Sequence, residues 1–279
     1  MEGLYEKIKN CIECGSKDDR QPTFCGYDKI TRHKVALIFE IPGGDTEHST
    51  FFNYVKFLEN NKMGNPLLFW RYGTVEWMFN RKKISDICRF DMLRAILIYL
   101  SENEIINLQK RYKLSDDDEF YMYLTDGFVD DVYFTDIVKC RPRNKQIIMD
   151  EKGTNAVSRC SNKFLMDELN FLEELQVIIT FGENAIKAFQ NIESFNLVKD
   201  TSFANPEIIS VSKPKRLFHG NIYCLEGTQY KSPYIISSVH PSRYFRLSKE
   251  VKENVFPVLK KAINHCSNLI LKRDNKYKT

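Results

Sequence analysis

Three groupings of side chains in this chain have the types and spacing to do chemistry. The first lies in VYFTDIVKCRPRN, residues 132–144. There Asp136 can hydrogen-bond a planar ligand edge, Cys140 is a soft metal ligand, and the proline-stiffened Arg141 and Arg143 suit phosphate. The second is Glu40-Ile41-Pro42-Gly43-Gly44-Asp45, two carboxylates around a glycine-rich turn whose backbone N–H groups can come close to a ligand. The third is His240-Pro241-Ser242-Arg243-Tyr244, in which a histidine can donate to charge developing on a leaving group. Beside these stands Cys11-Ile12-Glu13-Cys14, a C-x-x-C able to give two thiolates to one metal centre. Zinc is one reading of that pair, with Cys140 and Cys160 or Cys25 completing a four-sulfur site.

Each grouping sits where an element should deliver it. Lys34 to Phe39 (KVALIF) is a short apolar run of the kind found in a central parallel strand, and it ends at Glu40. Val132 to Thr135 is β-branched and aromatic and delivers Asp136 at the strand's carboxyl end, where open α/β sheets place ligands. KSPYIISSV, residues 231–239, is a further strand and ends at His240. Between them FLMDELNFLEEL predicts an amphipathic helix, QVIITFG a buried strand ending in glycine, and ENAIKAF the next helix. The tail from Lys249 predicts a helix over the sheet with a frayed basic end. This alternation of strands and helices predicts one α/β domain over residues 1–279.

Composition sets the outer bounds. The chain is 43% hydrophobic and 28% charged, ordinary for a globular protein, and its net charge of +4 permits an anionic partner. The opening MEGLYEKIKN lacks the apolar core of a signal peptide, and the longest apolar run, Ala95 to Leu100, is too short for a membrane span. A cytoplasmic protein with no membrane contact, acting as a monomer, is the expectation. Eight cysteines then read as thiols rather than a disulfide framework.

In order along the chain, these motifs resemble the iron–sulfur branch of the uracil-DNA glycosylase superfamily. VYFTDIVKCRP is similar to that branch's hydrophobic run and T-N-V-V-K-C-R-P-P. E-I-P-G-G resembles its G-E-A-P-G, with Phe39 in place of the first glycine. The helix–strand–G-x-x-A unit matches L-x-x-E-L…V-I-V-x-L-G-x-x-A, read as core architecture, and H-P-S matches the second catalytic motif. The resemblance implies a three-layer α/β/α sandwich around a central mostly parallel sheet. It implies DNA as partner, a flipped base, and a [4Fe–4S] cluster held by Cys11, Cys14, Cys140 and Cys160. It also implies site roles: His240 protects the leaving base, Asp45 is the first choice to orient the attacking water, and Glu40 is a further catalytic carboxylate. Ile41 and Gly43 lie against the base, and Phe51 or Phe52 stacks on it. Ser242, Arg243 and Tyr244 meet the DNA backbone or wedge the duplex, with Arg141 and Arg143 on phosphates. Lys213-Pro214-Lys215-Arg216 reads as a solvated basic loop or a phosphate contact. Residues 62–131 have no counterpart and read as an inserted helical segment with its own small core.

One departure bears on the substrate. The family carries asparagine where this chain has Asp136. Asparagine complements uracil, donating to O4 and accepting from N3–H. A protonated aspartate instead complements cytosine, donating to N3 and accepting from the N4 amino group. Burial raises a carboxyl pKa, which favours that form. The expectation is therefore a monofunctional glycosylase for a modified cytosine, such as that of hypermodified phage DNA in antiviral defence. The alternatives are an ordinary uracil-DNA glycosylase of base excision repair and an inactive iron–sulfur DNA-binding module.

Overall fold

The computed structural model describes residues 2–11, 20–22, 32–40, 84–107, 112–142, 156–192, 196–203, 219–226, 232–241 and 249–276. In chain order its elements are α1 (Glu2–Lys9), β1 (Arg20–Pro22), β2 (Val35–Phe39), α2 (Ile84–Glu102), α3 (Asp117–Asp126) and α4 (Phe128–Asp131). There follow β3 (Val132–Asp136), β4 (Cys140–Pro142), α5 (Ala156–Cys160), a π-helical turn (Ser161–Leu165) and α6 (Met166–Leu169). Last come β5 (Val177–Phe181), α7 (Glu183–Gln190), β6 (Asn196–Lys199), β7 (Ile222–Glu226), β8 (Tyr234–Ser238) and α8 (Lys249–Lys276).

Six strands form one sheet in the order β3-β2-β5-β8-β7-β6. The first four are parallel, and β7 and β6 extend the sheet antiparallel from β8. Alternation along each strand separates the two faces. Val35, Leu37, Phe39, Val177, Ile179, Phe181 and Ile236 pack under α2, α3 and α8. Ala36, Ile38, Tyr133, Ile178 and Ile235 pack against α1, the α5–α6 segment and α7. Strands buried on both faces need the continuous apolar runs seen in VALIF and VIITF. The expected three-layer α/β/α sandwich is the fold observed.

Three expectations change in detail. Residues 84–102 and 117–131 do not build a core of their own: Met92, Leu93, Ile96, Leu97, Phe120, Tyr123 and Phe128 belong to the sheet's main cluster. An apolar helix face beside an open sheet face buries most by lying on it. The acidic patch there serves as a helix start, with Asp116 accepting from the backbone N–H groups of Asp118 and Glu119. The helix expected from Phe164 begins earlier, at Ala156, passes through the π turn and ends at Leu169. Leu172 and Leu175 remain buried, but in turns closed by Leu172 N–H to Leu169 O and Leu175 N–H to Leu172 O. Finally, β6 and β7 were not foreseen, because NLVK carries an exposed face at the sheet edge and gives no buried run.

A second, two-stranded sheet pairs β1 antiparallel with β4, setting Pro22 across from Cys140. This ties the amino-terminal segment to the strand that follows the Asp136 turn.

Candidate active site

Parallel register brings the carboxyl ends of four strands to one rim. Phe39 is level with Asp136 on one side and with Phe181 on the other, and Phe181 is level with Ser238. Just past these ends lie Glu40, Gly182, Val239 and His240. The chain leaving β3 is pinned to the chain leaving β2 by Ile137 N–H to Phe39 O (2.8 Å) and Val138 N–H to Glu40 O (3.0 Å). The rim is thus a set of strand exits bound to one another rather than free loops.

Asp136 is 6% exposed on a wholly buried strand. Burial raises its pKa from 3.8 to about 7. The Lys139 charge works against that rise, and the Glu168 charge adds to it.

Phe39 forms an aromatic floor. Its ring stacks on Phe181 at 4.4 Å, tilts against Phe134 at 4.9 Å, and meets the His240 ring edge-on at 5.7 Å. Gly182 adopts φ +102°, a backbone region that favours glycine. A Cβ there would lie 3.7 Å from Glu40 Oε2 and 3.8 Å from His240 Cβ. Glu40 and His240 therefore flank the same small space above Gly182. Asn184, in the first turn of α7, donates to Glu40 Oε1 at 2.5 Å.

Behind the strand bearing Asp136 is a buried polar network. Glu168 on α6 is fully buried and pairs with Lys139, itself 2% exposed. Tyr133 and Thr135 donate to Glu168 Oε1 at 2.6 and 2.7 Å, and Lys139 donates to Thr135 Oγ1 at 2.6 Å. A buried ion pair survives only when its remaining lone pairs and protons find partners, which these hydroxyls supply.

On the other side of the rim, His219 bridges two elements. Val239 N–H donates to His219 Nδ1 (3.2 Å), so Nε2 carries the proton and donates to the Val255 carbonyl of α8 (3.2 Å). The residue before His240 is thereby anchored to the terminal helix. Burial lowers the His219 pKa from 6.5 to about 4. A histidine buried neutral binds fewer protons in the native state than in the unfolded one. Its contribution is present above 6.5 and lost as pH falls through 4, amounting to about 3 kcal/mol at 1.36 per unit. His219→Gln, which keeps a donor and an acceptor, should lack that acid-side loss in denaturation curves taken at pH 4 and pH 7.

Of the residues singled out from sequence, the structure brings Asp136, Glu40 and His240 to the rim. Cys11 and Cys160 pack on the same core, beneath the α5–α7 face. Cys140 and Arg141 are placed through the backbone of β4. Ile41, Gly43, Asp45, Phe51, Phe52, Cys14, Cys25, Arg143, Ser242, Arg243, Tyr244 and the 213–216 loop lie outside the described residues. The network residues Lys139, Glu168, Asn184 and His219 were not foreseen. Glu168 and Asn184 fall in the unit read from sequence as core architecture. A charged residue inside an otherwise apolar helix pattern, three residues after Leu165, was the available signal.

A three-layer α/β/α sandwich with two carboxylates and a histidine gathered at one rim of strand ends belongs to the class of open-sheet α/β proteins that take their ligands at that rim. The sequence model of the uracil DNA glycosylase superfamily matches residues 89–263, well over half of the chain. The chain belongs to the uracil-DNA glycosylase superfamily, whose members are DNA glycosylases. The match includes Asp136 and His240 and begins downstream of Glu40. No curated protein matches the chain. Among the described residues, no helix is long and apolar enough to cross a membrane.

Proposed function

We propose that the protein is a monofunctional DNA glycosylase for a modified cytosine, and the buried Asp136 carboxyl is the observation that carries this reading. At neutral pH a carboxyl with pKa near 7 offers a protonated form in quantity. That form donates to cytosine N3 and accepts from N4–H; an ionised one has no proton to give. Breaking the C1′–N1 bond leaves the electron pair on the base, with negative charge at O2, where a donor from His240 stabilises it. Glu40 orients the water that attacks C1′, a role supported by its nearness to the same Gly182 space as His240, with Asp45 as the other carboxylate of that loop. Removing unmodified cytosine would destroy the cell's own DNA, so the substrate is a cytosine altered elsewhere on the ring, as in hypermodified phage DNA.

The iron–sulfur cluster belongs to this proposal. Four thiols, Cys11, Cys14, Cys140 and Cys160, supply the right donor set for a [4Fe–4S] cluster. Pairing of β1 with β4 and the packing of Cys11 and Cys160 on one core support it. When bound, the cluster would act structurally, fastening the amino-terminal segment to the strand after Asp136; zinc is the other metal such a set could take.

A panel of duplexes carrying uracil, cytosine, hydroxymethylcytosine and glucosylated hydroxymethylcytosine, read by alkaline cleavage of abasic sites, tests the function. Cleavage at a modified cytosine with none at uracil is expected. Cleavage at uracil alone would overturn the base assignment, and tight DNA binding without cleavage would overturn the enzyme.

A further inference from the structure

We propose that Asn184 is a positioning residue that aims the Glu40 carboxylate at the reacting sugar. This rests on the glycosylase reading and gives a role to a residue that the sequence motifs left as architecture. Glu40 follows directly on β2 and has no secondary structure of its own to fix its side chain. Its Oε1 takes the amide proton of Asn184 at 2.5 Å, while Oε2 faces the space above Gly182, opposite His240. A carboxylate held at one oxygen presents the other in a single direction. That direction is the one on which orientation of a nucleophilic water, or stabilisation of a cationic sugar, depends.

The supports of Asn184 are themselves rigid. It occupies the first turn of α7, whose Ala185, Ile186, Ala188 and Phe189 are buried. The turn before it is fixed by Gly182, whose N–H donates to Ser238 O at 2.8 Å. A Cβ at Gly182 would touch both Glu40 Oε2 and the His240 side chain. One turn therefore sets three things: the place of Asn184, the gap above Gly182, and the end of the strand leading to His240.

Because the excised base is a separate question, the test uses a probe with no base. A duplex carrying a cationic pyrrolidine in place of the target sugar imitates the charge that develops as the glycosidic bond breaks. The same duplex with neutral tetrahydrofuran is the control. Wild type should bind the pyrrolidine duplex at least tenfold more tightly, as transition-state mimics are favoured over neutral sites. Asn184→Ala should lose most of that preference while binding the tetrahydrofuran duplex as wild type does. Asn184→Asp, the same size but without the donor, should lose it too, which a role in packing alone would not produce. In Glu40→Gln the preference should be gone, and adding Asn184→Ala should change nothing more. Full preference retained by both folded Asn184 variants, checked by thermal melts, would overturn the positioning role and leave the enzyme reading standing. No preference in wild type would overturn both.

Discussion

Excision of a modified cytosine is expected to fall about tenfold for each pH unit above 7, the slope of a single required proton. Asp136→Asn should remove that fall and move the preference to uracil. The buried carboxyl sits near 7 because desolvation opposes its charge, with Glu168 adding to the effect and Lys139 opposing it. An amide keeps its donor at every pH and matches uracil when its nitrogen is turned towards O4, and sites built on such hydrogen bonds reject mismatched partners by about 10⁴. Single-turnover rates from pH 5.5 to 9, on uracil and modified-cytosine duplexes, measure both effects. A flat wild-type profile, or an unchanged preference in Asp136→Asn, would contradict the assignment. Stability provides an independent reading. A carboxyl whose folded pKa is raised contributes stability below 3.8 that is lost as pH rises through 7, on the order of 4 kcal/mol at 1.36 per unit. Asp136→Asn should therefore be more stable than wild type at pH 8 and no more stable at pH 4.

Removing either partner of the Lys139–Glu168 pair should destabilise the protein by about 3–5 kcal/mol, while removing both should cost far less. Glu168→Leu leaves an ammonium buried at 2% exposure with, among the described residues, only the Thr135 hydroxyl as acceptor. Lys139→Met leaves a fully buried carboxylate, still bonded to Tyr133 and Thr135 but without its counter-charge. The double variant Lys139→Met/Glu168→Leu replaces two desolvated charges by apolar groups of similar volume. Urea denaturation of the four proteins completes the cycle, and additive losses would refute the pair as a unit. The double variant also separates folding from recognition. It removes both charges that act on Asp136, so the alkaline fall in activity should move along the pH axis while the fold survives.

The frame of the fold was legible because strands buried on both faces must be almost wholly apolar, β-branched or aromatic, and VALIF, VYFT and VIITF are. Asp136, Glu40 and His240 were legible for a related reason: each is a carboxylate or imidazole at the carboxyl end of a buried strand, and parallel register puts those positions at one rim. What held them was not. Asn184 meets Glu40 across 144 residues, and Glu168 meets Lys139 across 29. Nothing in the local pattern around either announces its partner. The edge strand β6 escaped notice because one pairing suffices at an edge, so side chains there need not be buried, and β7 because most of its residues are only partly buried or exposed. The helix of residues 156–169 was misjudged at both ends because Leu172 and Leu175 keep a helical spacing while lying in turns.

The strand order also acts as a caliper. Asp136 ends β3 and His240 follows β8, and β2 and β5 lie between them. Three strand spacings amount to about 14 Å. On the glycosylase reading proposed above, the sheet then sets the span within which a base must fit, and point substitutions at the rim can change what is read without changing that span.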